Sequence, residues 1–307
     1  MNGKSGFAQE FKRNKPLFFM MIPAVVLIIL FSYIPMGGLI LAFKNFQYNL
    51  GVFNSPWCGL DNFKYFFISG TGWLVTKNTI LYNLFNLITS QLLAVVIAII
   101  ITEMSGKYFK KITQSIIFLP YFISWIIVGT FVYNIFNYET GTFNTVLKLF
   151  GMNPINMYEI PSAWVWIIMC FNAWKWAGYN SVIYIAAITS IDAECYEAAR
   201  IDGANIWKKI RYITMPSIKP TLITMLLLNV GRILRGDFQM FYQIVGNNGQ
   251  LFNATDVIDT FVFRSLLTSG DLGMTAAATF YQSMLCFLII LTVNAVVKHI
   301  DKDYALF

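Results

Sequence analysis

Charge is scarce in this chain. Asp, Glu, Lys and Arg make up 12% of its 307 residues, where a soluble domain carries about 25%. Histidine occurs once, at His299, with no ligand partners in sequence, and is expected as a solvated tail residue. Four cysteines, Cys58, Cys170, Cys195 and Cys286, are scattered, with neither metal-ligand spacing nor a disulfide framework. No Gly-x-x-x-x-Gly-Lys-Ser/Thr phosphate loop is present, and no nucleophile–base arrangement stands out, so the chain is expected neither to hydrolyse anything nor to hold a cofactor of its own. The long apolar runs contain no clear Asp or Glu, Glu103 sitting at a run's end. That argues against an ion-gradient-driven secondary transporter, which needs buried carboxylates. Clustered His or acidic residues near one face are missing as well, which argues against a membrane-embedded enzyme.

What is abundant is apolar: 57% hydrophobic residues, 17% aromatic and a mean hydropathy of +0.60. This is the composition of an all-α integral membrane protein, read as one permease-like domain over residues 1–307. Six spans are expected, over residues 17–42, 79–101, 112–136, 163–188, 216–234 and 274–297. The first is interrupted by Pro23 and Pro35. It is too long for a signal-peptide core and lacks a small-residue cleavage site. Residues 44–77 form an outer loop with a short interfacial helix around Asn62 to Phe67. In the second span Asn83, Asn86, Thr89, Ser90 and Gln91 should face other helices or a cavity. The third contains Pro120. An outer segment then carries an amphipathic helix from Phe143 to Phe150, ended by Gly151. The fourth span holds Asn172, Lys175, Gly178, Tyr179 and Asn180. The fifth is apolar until Asn229, then meets Arg232 and Arg235 ahead of an outer loop of roughly forty residues.

The net charge of +7 need not mean nucleic acid, because the basic residues cluster at span ends. Lys4, Lys12, Arg13, Lys15, Lys107, Lys110, Lys111, Arg200, Lys208, Lys209, Arg211, Lys219, Lys298 and Lys302 share the face of the termini and the loop before the fifth span. Lys44, Lys64, Lys77, Lys148, Arg232, Arg235 and Arg264 lie on the other face. Fourteen against seven places both termini and that loop in the cytoplasm.

That loop, residues 191–215, is the chain's most informative stretch. Asp192 is a plausible N-cap for a helix through Glu197-Ala198-Ala199-Arg200-Ile201-Asp202, and Gly203 fits a left-handed C-cap. Asn205 can cap a second short helix, and Pro216 can open the next long one. Glu-Ala-Ala, three residues, Gly, nine residues, Ile-x-Leu-Pro is the cytoplasmic loop signature of bacterial ABC importer permeases. This chain resembles it at Glu197, Ala198, Ala199, Gly203, Ile213 and Pro216, with Met215 in place of Leu, a volume-conserving change. Tyr33-Ile34-Pro35-Met36, Leu41-Ala42-Phe43-Lys44, Gly59-Leu60-Asp61-Asn62-Phe63, Phe241-Tyr242-Gln243 and Thr255-Asp256-Val257-Ile258-Asp259-Thr260 look like the carbohydrate uptake branch. More narrowly, they look like the polysaccharide-type permeases named after the lipoprotein-linked transporter of Gram-positive bacteria. The resemblance implies the type I importer permease fold: six spans and a cytoplasmic two-helix coupling loop in the bacterial cell membrane. It implies a second homologous permease, two ATPase subunits holding ATP and Mg, and an extracellular solute-binding lipoprotein. Glu197, Ala198, Ala199, Asp202, Gly203 and Pro216 would then couple the chain to the ATPase.

A sugar crossing lipid needs hydrogen-bond partners and flat apolar faces. Asn172, Lys175, Trp176 and Tyr179 stand at i, i+3, i+4 and i+7 on one helical face. Resemblance to maltose-type permeases places sugar contacts on this helix at comparable distances before the loop. Asn172 and Tyr179 agree with contact positions in residue type, whereas Lys175 and Trp176 differ in type. By the same count Asn229 stands at a polar contact position, with Arg232 as an outer helper. Plainer readings stand beside these. Trp164 and Trp166 suit an interfacial belt, as does Trp176; Lys175 lies about three turns from its span's outer end and can snorkel to the headgroups. Arg232 and Arg235 can mark the outer interface, with Asp237 paired to either. Were Lys175 and Arg232 to face a cavity, they would suit uronate-containing or sialylated oligosaccharides.

Overall fold

The computed structural model describes residue 11 and residues 13–300. Lys4, Lys12 and Lys302, counted above for orientation, lie outside the described residues. Among those residues the chain is helical, and the only extended pairing is an isolated bridge between Lys44 and Trp57.

Helix α1 runs Lys15–Phe43, passing through a π turn and ending in a 3-10 stretch. No residue of its most apolar window is buried, and its last turns are tied down. There Asn62, on the short helix α2 (Asp61–Ile68), donates to the carbonyls of Leu41, Ala42 and Lys44 at 3.3, 3.0 and 3.0 Å. The Lys44 ammonium in turn donates to the Val52 and Phe53 carbonyls. The two short sequence signatures around Phe43 and Asp61 are therefore one hydrogen-bonded knot.

Helices α3 (Thr71–Glu103) and α7 (Pro161–Thr189) form the centre. Tyr82, near the start of α3, shares a cluster with Trp164 and Ile167, whereas Ala98 and Ile101 near its end pack with Ile185 and Ile188. The two helices therefore run parallel. Between lipid-covered helices apolar burial gives little drive, so close packing and buried polar bonds hold the pair. Ala94 and Ala98 are fully buried, and the Tyr184 hydroxyl donates to Gln91 Oε1.

The expected third span is two helices. Helix α4 (Lys107–Phe122) and α5 (Trp125–Phe136) meet at 91°. Pro120 lacks an N–H, Ile123 is extended, and Ser124 begins α5 as its N-cap. The expected fifth span also changes. Helix α9 is continuous from Ile206 to Val230, so Pro216 does not open a separate helix. A π turn at Ile210–Thr214 precedes it, and such a turn absorbs a proline's missing donor without breaking the helix.

The segments expected as outer loops contain helices of their own. Helix α6 (Thr142–Leu149) ends before Gly151 at φ +71°. Beyond α9 the forty-residue loop folds into α10 (Phe238–Val245) and α11 (Ile258–Thr268). Helix α12 spans Leu272–Ile300, so exposed His299 sits in its final turns rather than in a tail. By length and composition α1, α3, α9 and α12 can each cross a membrane, and the bent α4–α5 pair makes a fifth candidate. Helix α7 has 29 residues, about 43 Å at 1.5 Å per residue. It is long enough to cross but less apolar, because Asn172, Lys175 and Asn180 fall at its middle.

Candidate functional site

The polar middle of α7 opens onto a cleft of roughly 460 Å³. Helix α3 contributes Asn83, Asn86 and Ser90, the α4 break Tyr121, and α7 Asn172, Trp176, Tyr179 and Asn180. The end of α9 and the turn after it add Asn229, Arg232, Arg235 and Asp237. Five residues predicted for a substrate pathway thus share one cleft: Asn172, Trp176, Tyr179, Asn229 and Arg232.

Lys175 is not among the lining residues. On a helix at 100° per residue, Asn172, Tyr179 and Trp176 fall within about 60° of one another, and Lys175 lies to one side. From there its ammonium reaches the α4–α5 break. It donates to the carbonyls of Tyr121 at 3.0 Å, Pro120 at 3.4 Å and Ile123, and it lies 5.3 Å from the centre of the Trp125 ring. The side chain is 6% exposed. A cation here satisfies the carbonyls that the break frees, which is why the charge is tolerated within the bundle.

One wall is aromatic. Tyr121 and Tyr179 stack at 4.2 Å and 14°, and Trp176 meets Tyr121 edge-on at 5.4 Å. The opposite side is amide-rich. Asn86 Oδ1 is buried and has no hydrogen-bond partner, the only such side-chain atom among the described residues. A buried acceptor left unpaired costs about 1–3 kcal/mol, and a donor entering the cleft would remove that cost.

Arg232 and Arg235 are exposed. The ion pairs among the described residues are Lys64–Asp61, Lys209–Glu103 and Arg264–Asp256, so neither arginine is paired. Asp237 does not join either of them. It accepts from Trp125 Nε1 at 2.8 Å and from the Met240 amide at 3.1 Å, capping α10. With two arginines and one aspartate at the cleft, positive charge is in excess. The lining also includes residues that the sequence did not name for the pathway, among them Asn83, Asn86, Tyr121, Asn180, Arg235 and Asp237.

The second site lies just past the end of α7. Helix α8 (Ala193–Ile201) begins at Asp192, whose side chain accepts from the Glu194 amide. It ends in a Schellman motif: Ala204 N donates to Ala199 O at 2.8 Å and Gly203 N to Arg200 O at 3.1 Å, with Gly203 at φ +69°. Asn205 then caps α9 through the Lys208 amide. A 2.9 Å bond between the Tyr196 and Thr214 hydroxyls joins the two helices, and Lys209 pairs with Glu103 at 3.6 Å. Glu197, Ala198, Asp202, Gly203 and Pro216 are exposed and Ala199 half-buried. Ile201 and Trp207 stand beside them at 87% and 75% exposure, large apolar groups on a rigid polar corner.

The chain is similar to known proteins over most of its length. Residues 94–305 match the family described as "binding-protein-dependent transport system inner membrane component". The polygalacturonan/rhamnogalacturonan transport system permease protein YteP of Bacillus subtilis is 29% identical over 294 residues, covering 95% of this chain and 90% of that protein. The trehalose/maltose permease MalF of Thermococcus litoralis is 25% identical over 294 residues, covering 95% and 96%. The fold is similar to a chain in the crystal structure of a bacterial ABC transporter involved in the import of the acidic polysaccharide alginate. That TM-score is 0.87 at 31% identity, covering 97% of this chain and 100% of that one.

Proposed function

This chain belongs to the family of binding-protein-dependent transport system inner membrane components, and we propose on that premise that it passes acidic oligosaccharides through half of an ABC importer's translocation pathway. It is a sugar permease of such an importer. The observation that carries the acidic reading is the cleft itself. Two unpaired arginines stand beside an aromatic wall and a bank of amides. The rings suit the C–H faces of a pyranose, the amides its hydroxyls, and the guanidiniums a carboxylate, which they hold bidentately. Two of the compared proteins are named for acidic polymers, polygalacturonan and alginate.

On this reading α1, α3, the α4–α5 pair, α7, α9 and α12 make six crossings, with both termini and the α8 corner in the cytoplasm. A second permease closes the cleft from the side, and an external binding protein delivers the sugar. ATP and Mg belong to cytoplasmic ATPase subunits that grip Glu197, Ala198, Ala199, Asp202, Gly203 and the segment up to Pro216. Closure of those subunits moves the α8 corner, and the cleft alternates between inward and outward exposure. The sugar shifts that balance only through contacts that differ between the two states.

The test is uptake by the complete transporter in proteoliposomes, comparing matched acidic and neutral oligosaccharides. Acidic uptake is expected to dominate, and Arg232→Gln to lower the acidic-to-neutral ratio about tenfold, the loss of one charge-assisted hydrogen bond. Equal uptake of both sugars by the unaltered transporter refutes the acidic reading.

A further inference from the structure

A short non-helical strip carries both arginines, and something must hold it. Helix α9 stops at Val230, and residues 231–234 are tight turns, with Arg232 N on Asn229 O at 3.0 Å and Arg235 N on Arg232 O at 2.8 Å. Leu234 is fully buried. The strip separates two spaces. The cleft described above lies on one side. On the other is a cavity of roughly 610 Å³ between the strip, α11 and α12, and Arg232 and Arg235 border both.

The tether comes from two residues that the transport reading leaves without a role. Asp259 Oδ2, on α11, accepts the Gly236 amide at 2.7 Å. Gln282 Nε2, on α12, donates to the Leu234 carbonyl at 2.6 Å and to the same Asp259 oxygen at 3.1 Å. Gly236 admits this approach, because a Cβ there would stand 3.0 Å from Asp259 Oδ2. Asp259 is nonetheless in no ion pair with Arg235. Its Oδ2 is committed to backbone and amide donors, and neither guanidinium is held in an ion pair. Burial pushes the Asp259 carboxyl above the usual carboxylate range, against the pull of Gly236, Gln282 and nearby Arg235. Helix α11 is itself fixed: Ile258 N donates to Thr79 Oγ1 at 3.0 Å, and Asp256 pairs with Arg264.

We propose that Asp259 and Gln282 are positioning residues that hold the 231–236 strip so that Arg232 and Arg235 face an anionic saccharide in the cleft. This rests on the acidic-oligosaccharide reading, and the variants separate the two. The complete transporter is assayed in proteoliposomes with matched acidic and neutral oligosaccharides at constant, saturating binding protein. Amide exchange of the segment around Gly236 is followed by mass spectrometry in nanodiscs. Asp259→Ala is expected to speed exchange at Gly236 and lower the acidic-to-neutral ratio of kcat/KM about fivefold to tenfold, with neutral uptake kept. Asp259→Asn retains an acceptor for Gly236 and is expected to restore both values. Faster exchange with an unchanged ratio overturns the inference, as does unchanged exchange. Should Arg232→Gln with Arg235→Gln leave the ratio intact, the acidic reading falls and this inference with it. Should that pair lower the ratio while Asp259→Ala does not, only this inference falls.

Discussion

Lys175→Met separates two roles for a charge inside the bundle. The Lys175 ammonium supplies hydrogen bonds to the Pro120, Tyr121 and Ile123 carbonyls and faces the Trp125 ring at 5.3 Å. Methionine keeps the unbranched bulk and packs well over an indole, so the change is mainly electrostatic. Three carbonyls lose their donor in a region where the side chain is 6% exposed. Each such loss costs about 1–3 kcal/mol. Removing an ammonium that was itself desolvated offsets part of this. A net cost of about 2–4 kcal/mol is expected at the α4–α5 break. Tyr121 lies in the capped segment and its ring stacks on Tyr179, so the aromatic wall loosens with it. Thermal unfolding of the complex in nanodiscs should fall by several degrees, and uptake of acidic and neutral sugars should fall together. An unchanged melting midpoint with loss of the acidic preference alone would refute the reasoning, because it would put the ammonium on the substrate.

Two further outcomes follow from the backbone. Gly203→Pro forces φ near −65° where the chain needs +69° and removes the donor to Arg200 O; sugar-dependent ATP hydrolysis should vanish while the protein still inserts, and so too for Glu197→Lys, which reverses the charge of an exposed corner residue. Wild-type hydrolysis in both variants, measured on purified complexes, would remove the coupling role from this corner. Gly178→Val places a Cβ against the backbone of Ile117, 2.6 Å from its carbonyl carbon; α4 must move off α7, with a loss of about 2 kcal/mol or more read as lower yield of assembled, monodisperse complex.

The parts legible in sequence are those that local chemistry encodes. The α8 corner is one: Asp192, Gly203 and Asn205 act within three residues of the groups they satisfy, so spacing alone reveals them. The polar stripe of α7 is another, since Asn172, Trp176 and Tyr179 recur at the helical period. The break after Pro120 was not legible. Pro23, Pro216 and Pro220 lie in helices that continue through them, so a proline in a span does not by itself announce a bend. What differs at Pro120 is a donor 55 residues further along, and no local pattern reports it. For the same reason Lys175, at the stripe's edge, reads as a cavity residue until the neighbouring helix is in place. The signature from Thr255 to Thr260 was visible only as a family habit. Its work is long-range: Asp259 holds Gly236, 23 residues away, and Ile258 holds Thr79, 179 residues away.

One helix connects the two sites, and its rigidity has a consequence for coupling. Tyr179 at the aromatic wall and Thr189 just before the α8 corner are ten residues apart on α7, about 15 Å at 1.5 Å per residue. Between them Tyr184 is hydrogen-bonded to Gln91 of α3, and Ile185 and Ile188 are packed against Ala98 and Ile101. Over this stretch α7 and α3 form one packed unit, because no break or glycine interrupts either helix between the cleft and its end beside the corner. The α4–α5 pair, bent by 91°, hangs from α7 through Lys175. A rotation of α7 shifts Tyr179 relative to Tyr121 and shifts the ammonium relative to its three carbonyls at the same time. On the proposed function, the aromatic wall that holds the sugar and the capped bend that shapes the passage then respond to a single input, the position of the cytoplasmic corner.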